Sequence, residues 1–323
     1  MRRRHFFLTL SGLAGCTSQS KPRLNVINYS DYIAKDTIHN FEKEFNVQVR
    51  YSAVIEGSEE TIAKTMSGNS GWDVVFPENR LVNPMREMNL LAPLEHSQLP
   101  NIQHLSRFFQ KPAWDPQLAW CLPYLWSNCG ILCPARLPIR SWSDLWSQTY
   151  QGKVTMLDEP SEVFAACLKI LGYSINTDSE AELRKAQRLA IDQKKVLRAY
   201  LNTEVRDQVA SGDVAAAQLW QGSAQLTIDN APQLHFVHPS EGYSLYCDCV
   251  AILAESKRKQ LAHEFVNYLY RPQVASANSA ASRASSPCST TNEEVLTKGE
   301  WFRTASGPTQ RLRDRLWTEI KSA

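Results

Sequence analysis

Four short segments combine aromatic side chains with carboxylates, and each lies in or follows a stretch with the pattern of a β-strand. Aromatic rings pack against methylene groups and attract ammonium groups, whereas carboxylates pair with those positive charges. These residue types together favour a site for a flexible organic cation. The segments are Asn28-Tyr29-Ser30-Asp31-Tyr32, Asp158-Glu159-Pro160-Ser161-Glu162, Trp220-Gln221-Gly222-Ser223 and Tyr246-Cys247-Asp248.

Each segment also has a purely structural interpretation. Glu159 and Glu162 flank the start of a predicted helix, where acids favour the helix dipole and Pro160 suits the first turn. The remaining side chains could serve in packing or in structural hydrogen bonds: Tyr29, Tyr32, Trp220 and Asp248. The joint pattern favours binding, because the segments occupy similar topological places in two separate units.

Motifs of common enzymes are absent from the sequence. It has no Gly-x-Gly-x-x-Gly, Walker, His-Glu-x-x-His or Gly-x-Ser-x-Gly motif, and its seven histidines are scattered. Glu159 and Glu162 could form an acid and base pair, but their spacing on one helix end is too close for the usual glycosidase arrangement. The sequence therefore predicts a protein without catalysis or cofactor.

The N-terminus has the order of an export signal. Arg2, Arg3 and Arg4 precede an apolar stretch from Phe6 to Ala14, and Leu13-Ala14-Gly15-Cys16 resembles a bacterial lipobox. This predicts a signal peptide over residues 1–15, a lipid on Cys16 and a tether over residues 16–23. Arg3-Arg4 would serve either the twin-arginine or the general secretory route. The alternative is a basic N-terminus that continues into a buried helix.

Composition excludes several classes of protein. The 323 residues suffice for about two domains, and 35 Lys and Arg against 33 Asp and Glu argue against a role in coating nucleic acid. With 43% hydrophobic and 21% charged residues, the chain is typical of a soluble globular protein. Removal of residues 1–15 deletes three arginines and no acid, which changes the formal charge from +2 to −1.

Cysteine counting leaves the redox state open. Apart from Cys16, seven cysteines remain, and an odd number cannot all pair. Buried thiols and one or two disulfides are both compatible with the sequence. No CxxC pair or Cys/His cluster has zinc-site spacing, so we expect no metal site.

Strands and helices alternate along the chain from Leu24. The first part is predicted to be βαβαβ, with strands at 24–28, 47–51 and 73–76, a helix containing Ile38, Phe41 and Phe45 after Asp36, and a helix at 58–66. A Pro- and Trp-rich stretch over 112–138 then crosses into a second unit, and 275–292 is predicted to be loop or frayed helix. The second unit and the closing elements are predicted as helices at 141–146, 162–171, 179–193, 257–270 and 309–320, with strands at 153–157, 196–201, 214–220 and 245–253.

Several of these segments carry a family resemblance over about residues 20–270. The mature chain resembles the polyamine-binding branch of the periplasmic substrate-binding proteins, the spermidine and putrescine receptors of ABC importers. The matching segments, in order, are Leu24-Asn25-Val26-Ile27-Asn28-Tyr29-Ser30-Asp31-Tyr32, Ser141-Trp142-Ser143-Asp144-Leu145-Trp146, Tyr150-Gln151-Gly152-Lys153, Glu162-Val163-Phe164, Leu171-Gly172-Tyr173-Ser174 and Leu219-Trp220-Gln221-Gly222-Ser223-Ala224.

The resemblance implies a periplasmic-binding-protein type II fold: two α/β lobes joined by a hinge, each with a mostly parallel sheet flanked by helices. We expect lobe 1 at 24–125 plus 248–292 and lobe 2 at 126–247 plus 293–323. It also implies a monomeric receptor on the periplasmic face of the bacterial plasma membrane, held there by its lipid. Such a receptor would capture a small cationic polyamine and deliver it to an ABC permease.

The resemblance also implies roles for individual residues. Tyr29 and Tyr32 would be pocket aromatics beside the acid Asp31, and Trp220 and Tyr246 would stack on the methylene chain. The acids Glu159, Glu162 and Asp248 would hold amino groups, and Ser30 and Asn202 would occupy polar positions of the pocket.

Two departures from the family pattern bear on the ligand. After Phe76-Pro77 the family has small hydroxyl residues and a tyrosine, whereas this chain has Glu78-Asn79-Arg80. A tyrosine expected near 283–287 is also absent. An arginine in a cation site costs binding unless Glu78 neutralises it or it faces solvent. Arg80 could alternatively hold the carboxylate of a zwitterion such as an amino acid, 4-aminobutyrate or an opine. An envelope lipoprotein without ligand is the remaining alternative.

Overall fold

A computed structural model describes residues 21–55, 58–289 and 293–323 of the chain. The predicted signal peptide, Cys16 and most of the tether lie outside these residues. No helix in the described part is long and apolar enough to cross a bilayer.

Ten strands and eleven α-helices make up the regular structure of the described residues. The strands are β1 (Arg23–Tyr29), β2 (Gln48–Ile55), β3 (Val74–Val75), β4 (Cys121–Pro134), β5 (Val154–Met156), β6 (Leu197–Tyr200), β7 (Ala216–Trp220), β8 (Leu234–Val237), β9 (Tyr243–Ile252) and β10 (Gly299–Trp301). The α-helices are α1 (Thr37–Phe45), α2 (Ser58–Thr65), α3 (Val82–Glu87), α4 (Pro160–Ile170), α5 (Glu180–Gln193), α6 (Arg206–Ser211), α7 (Gln221–Ile228), α8 (Lys259–Leu269), α9 (Pro272–Ser282), α10 (Glu293–Lys298) and α11 (Gly307–Ser322). Short 3-10 helices cover Asn79–Leu81, His96–Gln98, Pro100–His104, Arg107–Phe109, Trp142–Trp146, Gln148–Tyr150 and Thr203–Val205.

The N-terminal unit forms the predicted βαβαβ arrangement. β1 pairs in parallel with β2 on one side and with β3 on the other. Apolar residues of β1 such as Leu24 and Val26 are fully buried. α1 covers this sheet, and the ring of Phe41 lies 5.0 Å from that of Phe265 on α8. Burial of these side chains removes apolar surface from water and fixes the helix on the sheet.

The second unit repeats this parallel organisation. β5 pairs in parallel with β6 and β7, and α4 follows β5 directly. The predicted helix at 141–146 is a 3-10 helix, Trp142–Trp146. Its start is fixed by a capping box in which Ser141 and Asp144 each bond the other's backbone amide.

Two long strands join the units into one mixed sheet with the order β2-β1-β3-β9-β4-β7-β5-β6. β4 pairs antiparallel with β9 from Cys121 to Asn128, and with β7 from Cys129 onward. The sequence analysis missed β4 because every residue of it is buried, so it has no polar and apolar alternation. Pro123 interrupts the apolar run and lies where the pairing with β9 shifts register.

The prediction of loop or frayed helix at 275–292 is wrong for its first part, which belongs to α9. Pro272 begins this helix, and Arg283 ends it in the left-handed conformation with φ 53°. Asn278 is fully buried, and its Oδ1 accepts hydrogen bonds from the Ala34 amide and the Thr37 hydroxyl at 2.9 and 2.8 Å. Small Ser and Ala side chains permit this close docking but give no apolar periodicity, so the sequence pattern could not show the helix.

The seven cysteines of the described residues are unpaired thiols, and all but Cys288 are buried. Burial raises the pKa of Cys167 and of the β4 and β9 thiols above the ordinary value. These thiols are therefore poor nucleophiles and serve as small core residues.

Candidate functional site

The carboxyl ends of the parallel strands in the two units face each other, which is the usual place for ligands in open α/β sheets. Tyr29 ends β1, and Glu78 follows β3. In the other unit Glu159 precedes α4 directly, and Trp220 ends β7. Asp248 comes from β9, where its backbone pairs with that of Glu78.

Between the units lies a cleft that encloses about 760 Å³, part of it open to solvent. Ten of the twelve residues singled out in the sequence line it: Tyr29, Ser30, Asp31, Tyr32, Glu78, Glu159, Glu162, Trp220, Tyr246 and Asp248. The structure brings these side chains together, and their contacts with a ligand remain predictions.

Seven further lining residues were not singled out individually in the sequence, although Ser161, Gly222 and Ser223 belong to the segments named there. Four of them neighbour singled-out residues and could have been found in this way: Ser161, Thr203, Gly222 and Ser223. The other three belong to no recognisable motif: Ile55, Leu226 and Ser282.

Glu162 and Asp248 are buried carboxyl groups, and neither has a cationic partner among the residues that the structure describes. Glu162 accepts a hydrogen bond of 2.6 Å from the Ser244 hydroxyl. Burial, with added repulsion from Glu78 and Glu159, raises the pKa of Glu162 to about 8. Burial and the charge of Glu78 likewise raise the pKa of Asp248 to about 8, against the opposing hydrogen bond from Tyr32. At neutral pH both carboxyls thus hold a proton that an incoming cation would displace.

Arg80 lies outside the cleft, in contrast to its predicted place in the pocket. Its Nε donates to both Glu78 oxygens at 3.1 Å, and its Nη2 donates to Glu159 Oε1 at 3.3 Å. The side chain is buried and lines a neighbouring cavity. Glu78 therefore neutralises Arg80, and Glu159 extends the pairing across to the second unit.

Asn202 is not among the residues that line the cleft, and its role at a polar pocket position stays a prediction. Its side-chain oxygen accepts a hydrogen bond of 3.1 Å from the backbone amide of Asp158, just after β5. The residue lines a separate surface cavity with Glu204, Arg206 and Asp207. The next residue, Thr203, reaches the cleft instead.

Aromatic rings form the apolar part of the cleft. The rings of Tyr29 and Tyr32 are 5.3 Å apart and tilted. The Tyr124 hydroxyl donates to the carbonyl of Tyr32 at 2.6 Å and fixes this corner. On the opposite side Trp220 packs against the cluster that contains Tyr246. An alkyl chain between these rings would be shielded from water on both sides.

Ion pairs also cross between the units near the cleft. Arg206 Nη1 on α6 lies 3.3 Å from Asp31 Oδ2, and Arg283 Nε after α9 lies 2.7 Å from Asp229 Oδ2. At Gly222, a Cβ atom would lie only 2.7 Å from the carbonyl oxygen of Ser282. The absent side chain therefore allows α7 and α9 to approach closely.

The described residues contain no group of His, Cys, Asp and Glu side chains arranged to hold a metal ion. The site offers carboxyl groups, hydroxyl groups and aromatic rings.

Comparison with known proteins gives the family. Residues 36–303 match the family described as bacterial extracellular solute-binding protein. The chain belongs to that family. This solute-binding protein is 29% identical to the putrescine-binding periplasmic protein SpuD of Pseudomonas aeruginosa, with 98% of this chain and 96% of SpuD covered. It is also 29% identical to the putrescine-binding periplasmic protein PotF of Escherichia coli, with 95% and 94% covered.

A solved structure supports the same assignment. A Listeria monocytogenes protein assigned to a spermidine/putrescine ABC transporter superposes with a TM-score of 0.86 at 25% identity, over 93% of this chain and 98% of that one. The predicted fold class is confirmed: the solute-binding protein has the two-lobed α/β architecture of type II periplasmic binding proteins.

Proposed function

We propose that this solute-binding protein is the receptor of an ABC importer and captures a polyamine, putrescine or spermidine, in the cleft. The observation that carries the proposal is the pair of buried acids, Glu162 and Asp248, which have no cationic partner among the described residues. Burying a carboxylate without a partner costs several kcal/mol, and a ligand ammonium removes that cost. The rings on both sides of the cleft suit the apolar chain between two amino groups.

The relatives support this proposal independently of the geometry. SpuD and PotF are named for putrescine binding, and a Salmonella typhimurium relative with 28% identity is a spermidine/putrescine-binding periplasmic protein. We infer that the permease subunits of the importer are the partner of this chain and that the receptor acts as a monomer.

The position of Arg80 argues against a zwitterionic ligand. The guanidinium of Arg80 pairs with Glu78 and Glu159 and lies outside the cleft, so it does not offer a free site for a carboxylate. Glu78 and Glu159 share a single guanidinium and keep a net negative charge at the cleft, which disfavours a carboxylate.

The proposed lobes are 24–125 plus 248–292 and 126–247 plus 293–323. In this division β4 runs from one lobe into the other, and β9 spans the second boundary at 247/248. Binding would stabilise the closed arrangement because the ligand contacts both lobes, and closure would be the signal that the permease recognises.

We expect a thermal-shift screen to identify polyamines as ligands. Putrescine or spermidine raises the melting temperature, whereas 4-aminobutyrate does not.

Glu162→Gln and Asp248→Asn each weaken polyamine binding at least about tenfold in calorimetry, because each removes a charge partner. Asp158→Asn, an exposed acid that pairs with Lys321 outside the cleft, serves as the matched control and retains wild-type affinity. Unchanged affinity in both site variants would refute the proposal.

Gly222→Ala tests whether closure is part of binding. The new methyl group would meet Ser282 of the other lobe and hold the lobes apart, so polyamine affinity falls about tenfold with little loss of melting temperature. Gly130→Ala is the control, because its methyl group would meet Phe236 and Val237 within one lobe. That variant lowers the melting temperature without a selective loss of affinity. Wild-type affinity in Gly222→Ala contradicts the closure account.

We further propose that the lipid on Cys16 anchors the receptor to the membrane; this residue lies outside the described part of the chain. The lipobox resemblance of Leu13-Ala14-Gly15-Cys16 supports the anchor, and a Treponema pallidum lipoprotein superposes at a TM-score of 0.84. In cell fractionation, Cys16→Ala should move the protein from the membrane to the soluble fraction. Membrane association equal to that of the wild type would refute the anchor.

A further inference from the structure

Arg80 occupies a position where the chain itself supplies a cation. It is only 7% exposed, and it bridges Glu78 of one proposed lobe to Glu159 of the other. Its backbone carbonyl accepts a hydrogen bond of 2.8 Å from the Thr304 hydroxyl, which holds the residue against the segment before α11. The guanidinium therefore binds two of the acids that line the cleft.

The Arg80 and Glu159 pair also forms a wall between two cavities. Glu159 and Ser161 line the ligand cleft and also a second cavity, which encloses about 1000 Å³ and is lined on its far side by Phe302 and Arg303. We refer to it as the outer cavity. Arg80 lines the outer cavity only. Arg80 therefore forms the outer side of this wall.

Arg80 already supplies one positive charge at one end of the cleft. Five carboxyl side chains line the cleft: Asp31 pairs with Arg206, and Glu78 and Glu159 share the single charge of Arg80. Glu162 and Asp248 remain, one on each proposed lobe. A diamine supplies one ammonium group for each of them, whereas a triamine carries a third positive charge toward the end that Arg80 already holds.

We propose that Arg80 sets the length and charge of the ligand: its guanidinium takes the place of a third ammonium group and holds the Glu78 and Glu159 carboxyls at that end of the cleft, so that the site selects diamines over longer polyamines. This inference rests on the proposed polyamine function and deepens it. Arg80 acts on selectivity through Glu78 and Glu159, without touching the diamine.

The test is the ratio of the spermidine and putrescine dissociation constants, measured by calorimetry. The wild type binds putrescine at least about tenfold more tightly than spermidine. In Arg80→Ala the ratio shifts at least about tenfold toward spermidine, because Glu78 and Glu159 gain a ligand cation. Arg80→Lys retains a cation at this place and keeps the ratio closer to that of the wild type.

Arg303→Ala is the matched control, since Arg303 is an exposed arginine of the outer cavity and forms no part of the wall. Its ratio equals that of the wild type. If circular dichroism shows that Arg80→Ala does not fold, Arg80→Gln replaces it, because glutamine removes the charge and keeps a hydrogen-bond donor for Glu78. The same shift is expected.

The outcomes distinguish the proposed polyamine function from the role of Arg80. A wild type that binds neither polyamine overturns the proposed function. A wild type that binds both equally, or an Arg80→Ala or Arg80→Gln variant with an unchanged ratio, overturns the role of Arg80 and leaves the polyamine function intact.

Discussion

The closed cleft depends on two buried acids, Glu162 and Asp248, which have no cationic partner among the residues that the structure describes. Glu162 comes from the first turn of α4, and Asp248 comes from β9 in the centre of the sheet. Both have a pKa raised to about 8 by burial. In the unfolded chain these groups titrate near pH 4, so the folded state retains protons that the unfolded state releases. The two groups therefore lower the free energy of unfolding as the pH rises above about 4, and this loss is complete at about pH 8. A bound cation reverses this cost.

The fold holds these acids apart and still brings them into one cleft. β4 and β9 are buried along their whole length and join two parallel sheets through antiparallel pairing, so the two halves of the site belong to different units. The ion pairs between Arg206 and Asp31 and between Arg283 and Asp229 connect the units around the cleft. These pairs are partly exposed and individually weak. Under the proposed function, ligand contacts with both lobes supply the selective stability of the closed arrangement.

Much of the fold and most of the candidate site could be predicted from the sequence, because strand patterns and the residues at strand ends are local signals. Strand and helix patterns placed the aromatic and acidic segments at strand ends, and the family resemblance supplied individual positions such as Ser30 and Glu78. Ten of the twelve candidate residues line one cleft. Other features depend on partners distant in sequence. The pairing of Arg80 with Glu78 could be expected from their spacing of two residues. Glu159 is 79 residues from Arg80 in the sequence, so this contact depends on the tertiary structure. β4 and α9 lack periodicity because one is buried on all sides and the other packs through small residues.

The number of protons released on putrescine binding shows whether Glu162 and Asp248 are protonated in the empty cleft. Calorimetry of putrescine binding at pH 7, repeated in buffers with different ionisation enthalpies, gives the number of protons released for each ligand bound. If Glu162 and Asp248 hold protons in the empty cleft and release them to the buffer when ligand ammonium groups bind, between about one and two protons are released for each ligand. The observed enthalpy then depends on the buffer, and the dependence decreases as the pH rises from 7 toward 9, because more of the carboxyls are ionised before the ligand binds. Binding heats at pH 7 that are independent of the buffer would contradict the account.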